Sequence, residues 1–191
     1  MSQKLLFNAS FHALLNQIDE QIVKQAQEAR CQLCKGPLHR ADYPRSPMGV
    51  PSEFREGYDE RCSLCCAICR KRTTPNSVRF LGRRWYPAPF LMLISILSLG
   101  ITKRRLRQIK DHFGLVVSES TWRRWRKWWR DIFVKTPFWR QAKGRAPPTP
   151  DMMTGPFPRV LFDALRGNLQ DRIVLLLRLF APLTAGNLRA V

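Results

Sequence analysis

The chain has 191 residues, 45% of them hydrophobic, enough for one ordinary core or two small ones but not for a large catalytic domain beside a separate binding module. Its 33 Lys and Arg against 14 Asp and Glu give a formal charge of +19, which points to a polyanionic partner: DNA, RNA or an anionic membrane surface. The charge is uneven, with 7 basic and 8 acidic residues over 1–60, 21 and 3 over 61–145, and 5 and 3 over 146–191. So one-sided a middle segment repels itself unless a partner relieves it, which favours nucleic acid over a merely solvated face.

In chain order, residues 3–29 read as an amphipathic helix, with Leu5, Phe11, Leu14, Leu15, Ile18, Ile22, Ala26 and Ala29 at spacings of three and four. The N-terminus lacks the basic segment and apolar run of a secretory signal. A reducing, cytoplasmic and nucleoid-associated setting is therefore expected, and in it cysteines bind metal rather than form disulfides. All six cysteines fall within residues 31–80, among many turn residues and little hydrophobic periodicity, as in a small metal-stapled module.

Cys31-Gln-Leu-Cys34 is one C-x-x-C knuckle, and the turn Lys35-Gly36-Pro37 follows it. The second pair is ambiguous, because Cys62-Ser-Leu-Cys65-Cys66-Ala-Ile-Cys69 offers either Cys62 with Cys65 or Cys66 with Cys69. Cys66 and Cys69 are preferred, since Arg70-Lys71-Arg72-Thr73 follows where a ribbon would turn into its next strand; Cys62 and Cys65 would lie on the preceding strand. Cys31, Cys34, Cys66 and Cys69 are thus the expected ligands of a structural Zn2+. A redox C-x-x-C would open a helix, whereas Cys31 closes one. His39 lies five residues beyond a complete knuckle and is left out.

Residues 88–134 read as three helices. The first, 88–99, is apolar nearly all round; the longest uncharged stretch, 85–102, carries Pro87 and Pro89, and its apolar part spans about half a bilayer, so it reads as a buried helix. The second starts at Thr102 and runs to about His112, with Leu106 and Ile109 inward and Gly114 placed to end it. The third starts after Ser118 or Ser120 and reaches about Val134, where Pro137 stops it. Its residues Trp122, Trp125, Trp129 and Ile132 share one face, read as core. The opposite face carries Arg123, Arg124, Lys127 and Arg130. Such a trio resembles a homeodomain-like helix-turn-helix. Ser118, Ser120, Thr121, Arg123, Arg124 and Lys127 are then the candidates for base and groove contacts. Arg104 and Arg105, with Arg70, Lys71 and Arg72 beside the ribbon, are candidates for the phosphate backbone.

The remaining segments read as a Pro-rich linker (137–158) and a last helix over 159–180 with a fraying tail, placed in a unit of 159–191. The expected organisation is mainly α with a small β zinc ribbon: an N-terminal helix (1–30), a four-cysteine zinc ribbon (31–86), a helix-turn-helix (87–136), the linker and the C-terminal helix. No Walker-type glycine loop, G-x-S-x-G or H-E-x-x-H is present.

The order of parts resembles the N-terminal region of bacterial insertion-sequence transposases. There, a second knuckle like Cys66-Ala-Ile-Cys69-Arg70-Lys71-Arg72-Thr73 leads to an apolar helix and then to a helix-turn-helix that grips the element's ends. The resemblance covers residues 31 to about 134. It implies DNA as partner, with a transposase or a second copy as a further one, and neither membrane nor small-molecule substrate. It does not carry catalysis over: Asp151, Asp163 and Asp171 are the acidic residues after Val134, and that stretch is too short for a two-metal nuclease fold. The expectation is a non-enzymatic accessory protein or a truncated transposase, with an RNA-binding ribbon or a transposition-complex subunit as alternatives. Buried tryptophans would favour DNA over RNA, which needs exposed rings for stacking.

Overall fold

In the computed structural model, the structure describes residues 5–45, 50, 52–80, 104, 107, 110, 111, 118–145 and 157–184. These are mostly helical, with two small antiparallel sheets and a cysteine cluster. Helix α1, Ala9–Glu28, begins where the Asn8 side chain accepts the Phe11 N–H at 3.2 Å, satisfying a donor that has no partner inside the helix. Its apolar stripe serves two cores. Phe11, Leu15 and Ile18 join the aromatic core of the later helices, while Val23 and Ala26 pack on the cysteine region. The helix ends at Ala29, and Arg30 turns the chain through the left-handed region (φ 57°) into the first knuckle.

Strands β1 (Leu38–Arg40), β4 (Leu64–Cys66) and β5 (Arg72–Thr73) form one antiparallel sheet in the order β1-β4-β5, with Leu38 opposite Cys66 and Cys65 opposite Arg72. Strands β2 (Tyr43–Pro44) and β3 (Glu60–Arg61) pair separately. Between these two runs an insertion that holds the 3₁₀ helix Ser52–Tyr58. It buries Tyr58 against Val50 and Phe80, with Phe54 packed alongside, so the insertion builds a small core of its own.

Buried polar groups tie this insertion to α1. His12 bridges Tyr58 Oη and the Leu6 carbonyl, each at 2.9 Å, and stacks on Phe54. Burial lowers its pKa, with the Leu6 carbonyl opposing that effect. Asp19 is buried too, and its carboxylate accepts hydrogen bonds from Ser77 Oγ (2.5 Å), the Val78 N–H (2.7 Å) and Arg79 Nε (2.8 Å). Arg79 reaches on to the Gly57 carbonyl and lies over the Phe80 ring. Asp19 thereby fastens residues 77–79 to the middle of α1.

The third predicted helix is α2, Glu119–Lys127, continued by one π-turn, Trp128–Ile132, and a 3₁₀ turn, Phe133–Lys135. Trp122, Trp125 and Trp129 are buried as the periodicity implies, but Ile132 is 47% exposed and Phe133 is fully buried. The π-turn is the cause. The Phe133 N–H bonds to the Trp128 carbonyl, five residues back, so an extra residue enters the turn and the buried position moves from Ile132 to Phe133. Phe133 then becomes the hub of an aromatic cluster, with ring centroids of Trp129, Trp139 and Phe180 at 4.9, 5.3 and 5.4 Å. Such pairs contribute about 0.5–1.5 kcal/mol each beyond their buried area.

The expected linker over 137–158 is corrected at its start. Pro137 opens helix α3, Pro137–Ala142, which buries Trp139 and Ala142, and a 3₁₀ turn, Lys143–Arg145, follows it. Thr136 caps this helix by accepting the Trp139 N–H at 3.1 Å, and proline suits a first-turn position whose N–H would be unpaired anyway. The single C-terminal helix is also corrected: α4, Arg159–Ala164, and α5, Leu169–Phe180, are separated at Gly167, which has φ +109°. Asn168 and Asp171 form a reciprocal capping box that starts α5 anew. The Arg172 guanidinium donates to the Phe162 carbonyl near the end of α4 and holds the pair together. The chain does not fray at Ala181: the 3₁₀ turn Ala181–Thr184 buries Ala181 and Leu183. The helix expected over 88–99 and Arg105 lie outside the described residues, as does most of the helix expected from Thr102; within it Arg104, Arg107, Lys110 and Asp111 are helical and exposed. Among the described residues no helix is long and apolar enough to cross a membrane.

Candidate metal centre and nucleic-acid interface

The two C-x-x-C segments fold alike. In the first knuckle the Cys31 N–H bonds to the Gly36 carbonyl (3.0 Å) and the Lys35 N–H to the Cys31 carbonyl (2.9 Å), with Lys35 at φ 58°. In the second the Cys66 N–H bonds to the Lys71 carbonyl and the Arg70 N–H to the Cys66 carbonyl (both 3.1 Å), with Arg70 at φ 59°. Each knuckle therefore closes on the fifth residue through a left-handed fourth, and points its two cysteines to one side. The knuckles meet tightly: a Cβ on Gly36 would lie 2.9 Å from Cys66 Sγ and from the end of Ile68, so this position has no room for a side chain.

The sulfurs of Cys31, Cys34, Cys66 and Cys69 lie within 4.8 Å of one another. Cys31 Sγ is 3.7 Å from Cys69 Sγ, and Cys34 Sγ is 3.4 Å from Cys66 Sγ. Four thiolates bound tetrahedrally at about 2.3 Å from one ion stand roughly 3.8 Å apart, so the donor set and its spacing suit a metal ion. The backbone N–H groups of Cys34 and Leu33 hold the Cys31 thiol below its usual range. Those of Cys69 and Ile68 do the same for Cys66, to about 6. Amide donors aimed at a sulfur favour the thiolate a metal requires.

The ambiguity of the second pair resolves in the fold. Cys66 and Cys69 join the first knuckle, and Cys62 and Cys65 do not. Cys62 is buried, and burial, with the Asp42 carboxylate beside it, pushes its thiol up to about 12. Cys65 Sγ turns toward the Arg70 carbonyl at 3.6 Å. His39, exposed on β1 opposite Cys65, stays out of the cluster.

The basic helix sorts its residues by face. Trp122, Trp125 and Trp129 are buried, whereas Arg123, Arg124, Arg126, Lys127 and Arg130 are exposed. Ser118 is the helix cap: its Oγ accepts the Thr121 N–H at 3.2 Å and contacts the hydroxyls of Ser120 and Thr121. Arg123 pairs with Glu119 (2.7 Å) and Arg130 with Asp131 (2.7 Å), both in solvent and therefore weak. Arg126 and Lys127 have no ion-pair partner among the described residues. Arg70, Lys71 and Arg72 are exposed around the second knuckle.

Two of the basic residues of 61–145 belong to the interior. Arg61 is buried, donates to the Pro75 carbonyl and lies over Phe80, and Arg79 serves Asp19. The alternation of Arg79 with Ser77, Val78 and Phe80 carries no local signal for this, because the partner lies some sixty residues away on α1. Comparison with protein-family models, curated proteins and solved structures finds no match.

Proposed function

We propose that the chain is a non-catalytic, sequence-specific DNA-binding protein serving a transposable element, either as an accessory protein or as a truncated transposase, with a structural Zn2+ held by Cys31, Cys34, Cys66 and Cys69. The observation that carries the reading is the division of α2 and its π-turn into a buried tryptophan face and five exposed cations, Arg123, Arg124, Arg126, Lys127 and Arg130. A helix anchored by large aromatic side chains can hold a row of arginines rigidly against a groove. In this reading Ser120, Thr121, Arg123, Arg124 and Lys127 face the DNA, with Arg able to read guanine bidentately and Lys and the hydroxyls holding phosphates. Ser118 positions them by capping the helix. Arg104 and Arg105, with Arg70, Lys71 and Arg72, meet the backbone. The weak surface pairs of Arg123 and Arg130 exchange carboxylate for phosphate at small cost.

The burial of Trp122, Trp125 and Trp129 weighs against the RNA alternative, which needs rings free to stack. The packing of α1 and α5 into the chain's own core weighs against reading them as detachable arms for an assembly partner. Four thiolates as the donor set favour zinc among divalent ions. The test is a footprint on the terminal repeats of the associated element, combined with binding measured across salt. A protein making about six to ten phosphate contacts loses roughly 10³–10⁵ in affinity between about 50 and 200 mM salt. Affinity that does not change over that range, or protection no greater on element ends than on random duplex, removes the proposal.

A further inference from the structure

Leu33 and Ile68 are the most exposed large hydrophobic residues described, at 64% and 67%. They occupy the same place in the two knuckles, the residue just before the second cysteine, so each stands at the tip of a metal-ligand turn. Ile68 also reaches across to the first knuckle at Gly36, so the tips belong to one surface. The charges of the two knuckle segments are all of one sign. Lys35, Arg70, Lys71 and Arg72 are exposed, have no ion-pair partner among the described residues, and no Asp or Glu lies within 30–36 or 67–73. Four thiolates around one divalent ion leave a net charge of about −2, so these cations exceed what the centre itself needs.

An apolar pair exposed to water on turns that also carry exposed, unpaired cations suits a ligand with both a polyanionic edge and an apolar interior. We propose that the two knuckle tips form a second DNA contact, separate from α2, in which Leu33 and Ile68 enter the edge of the minor groove while Arg70, Lys71 and Arg72 hold the flanking phosphates. This rests on the DNA-binding reading above. The minor groove is about 6 Å wide, too narrow for a helix but open to single side chains, and it admits leucine and isoleucine as wedges against sugars and base steps. A wide basic helix and a narrow apolar-tipped turn thereby take complementary grooves. The metal assembles the second contact, because the left-handed Lys35 and Arg70 that shape the tips each follow a ligand cysteine.

The two parts of this contact answer differently to salt, and that separates them. The probe is a short AT-rich duplex, titrated by fluorescence anisotropy at several salt concentrations with zinc content checked for every protein. The double variant Leu33→Ser with Ile68→Ser is expected to keep its zinc and its salt slope and to lose roughly tenfold in affinity, since apolar contacts release no counterions. The variant Lys71→Ala with Arg72→Ala is expected to lower the slope of log K against log salt by about 2, one unit per lost phosphate contact. A zinc-loaded tip variant that binds as tightly as wild type overturns the tip contact while leaving the role of α2 intact. A wild-type chain with no affinity for duplex even at low salt removes the DNA reading itself, and the two failures are thus distinct.

Discussion

Two parts of this molecule reach order by different means. Around the knuckles the buried cluster holds six of the described residues, Val23, Cys31, Leu38, Cys62, Leu64 and Cys66, and three of these are cysteines. Around α2 the buried cluster holds twenty of the described residues, including Trp122, Trp125, Trp129, Phe133, Trp139 and Phe180. A fully buried Phe or Leu stabilises by about 1.5–3 kcal/mol, so the second part can hold its shape by burial alone and the first cannot. The strands of the first part run for only two or three residues and cannot supply the deficit. Where apolar residues are scarce, four sulfurs converge; where they are plentiful, irregular turns are tolerated because the core dictates the register.

The largest effect expected from this contrast is that of metal removal. Chelation, or Cys66→Ser, should take zinc from about one ion per chain to none and abolish the ordered knuckle fold, while the fluorescence of the buried tryptophans stays blue-shifted. Simultaneous loss of both signals would show that the two parts do not stand apart. Next, Phe133→Ala should cost about 3–5 kcal/mol in denaturant unfolding followed by tryptophan fluorescence, with zinc content unchanged, because it empties the centre of the aromatic cluster. Asp19→Ala should cost a similar ~3–5 kcal/mol, since it strands Arg79 and the Val78 N–H in a buried site. Its signature is different: α1 joins both parts, and loosening residues 77–79 should separate zinc release from tryptophan exposure on heating. A single shared transition in that variant would show that the apolar stripe of α1 couples the parts without the carboxylate.

Smaller effects sharpen the picture. Ser118→Ala should cost about 1 kcal/mol, typical of a lost helix cap, and should lower DNA affinity by loosening the start of α2. Unchanged thermal stability would show that the hydroxyl does not hold the helix. The smallest expected effect is a pH dependence. Burial lowers the pKa of His12, so below about 6.5 the unfolded chain takes up a proton that the folded chain resists. His12 should therefore lower stability as pH falls from about 6.5 toward its folded pKa and have no such effect above. The difference in unfolding free energy between wild type and His12→Gln should shrink over that interval; a difference that holds constant would place the titration elsewhere.

Much of this architecture can be read from residues, and the unread part has a consistent cause. The knuckles announce themselves by local spacing, and the tryptophan face by helical period. Choosing Cys66 and Cys69 over Cys62 and Cys65 rests on a short-range cue, the basic turn that follows, and the fold agrees. Thr136-Pro137 and Asn168 with Asp171 are also local cues, legible as helix starts, and they define α3 and α5 where a linker and one long helix were expected. Long-range partnerships leave no such trace. Nothing near Asp19 indicates that it binds residues 77–79, and nothing near Arg61 indicates that it is buried. Ile132 and Phe133 suit the apolar face equally well on an α-helical period, and only the packed core decides between them.

That decision has a consequence for how the chain can change. A π-turn is an α-helix holding one surplus residue, and here the surplus lies between Trp129 and Phe133, with Ile132 left in solvent. Excising Ile132 would restore ordinary winding and keep Trp122, Trp125, Trp129 and Phe133 in phase along one side. The same excision at Arg124 would rotate every later ring out of the core by about 100°. The helix thus carries a built-in site of indel tolerance at the turn that follows its basic, tryptophan-backed stretch.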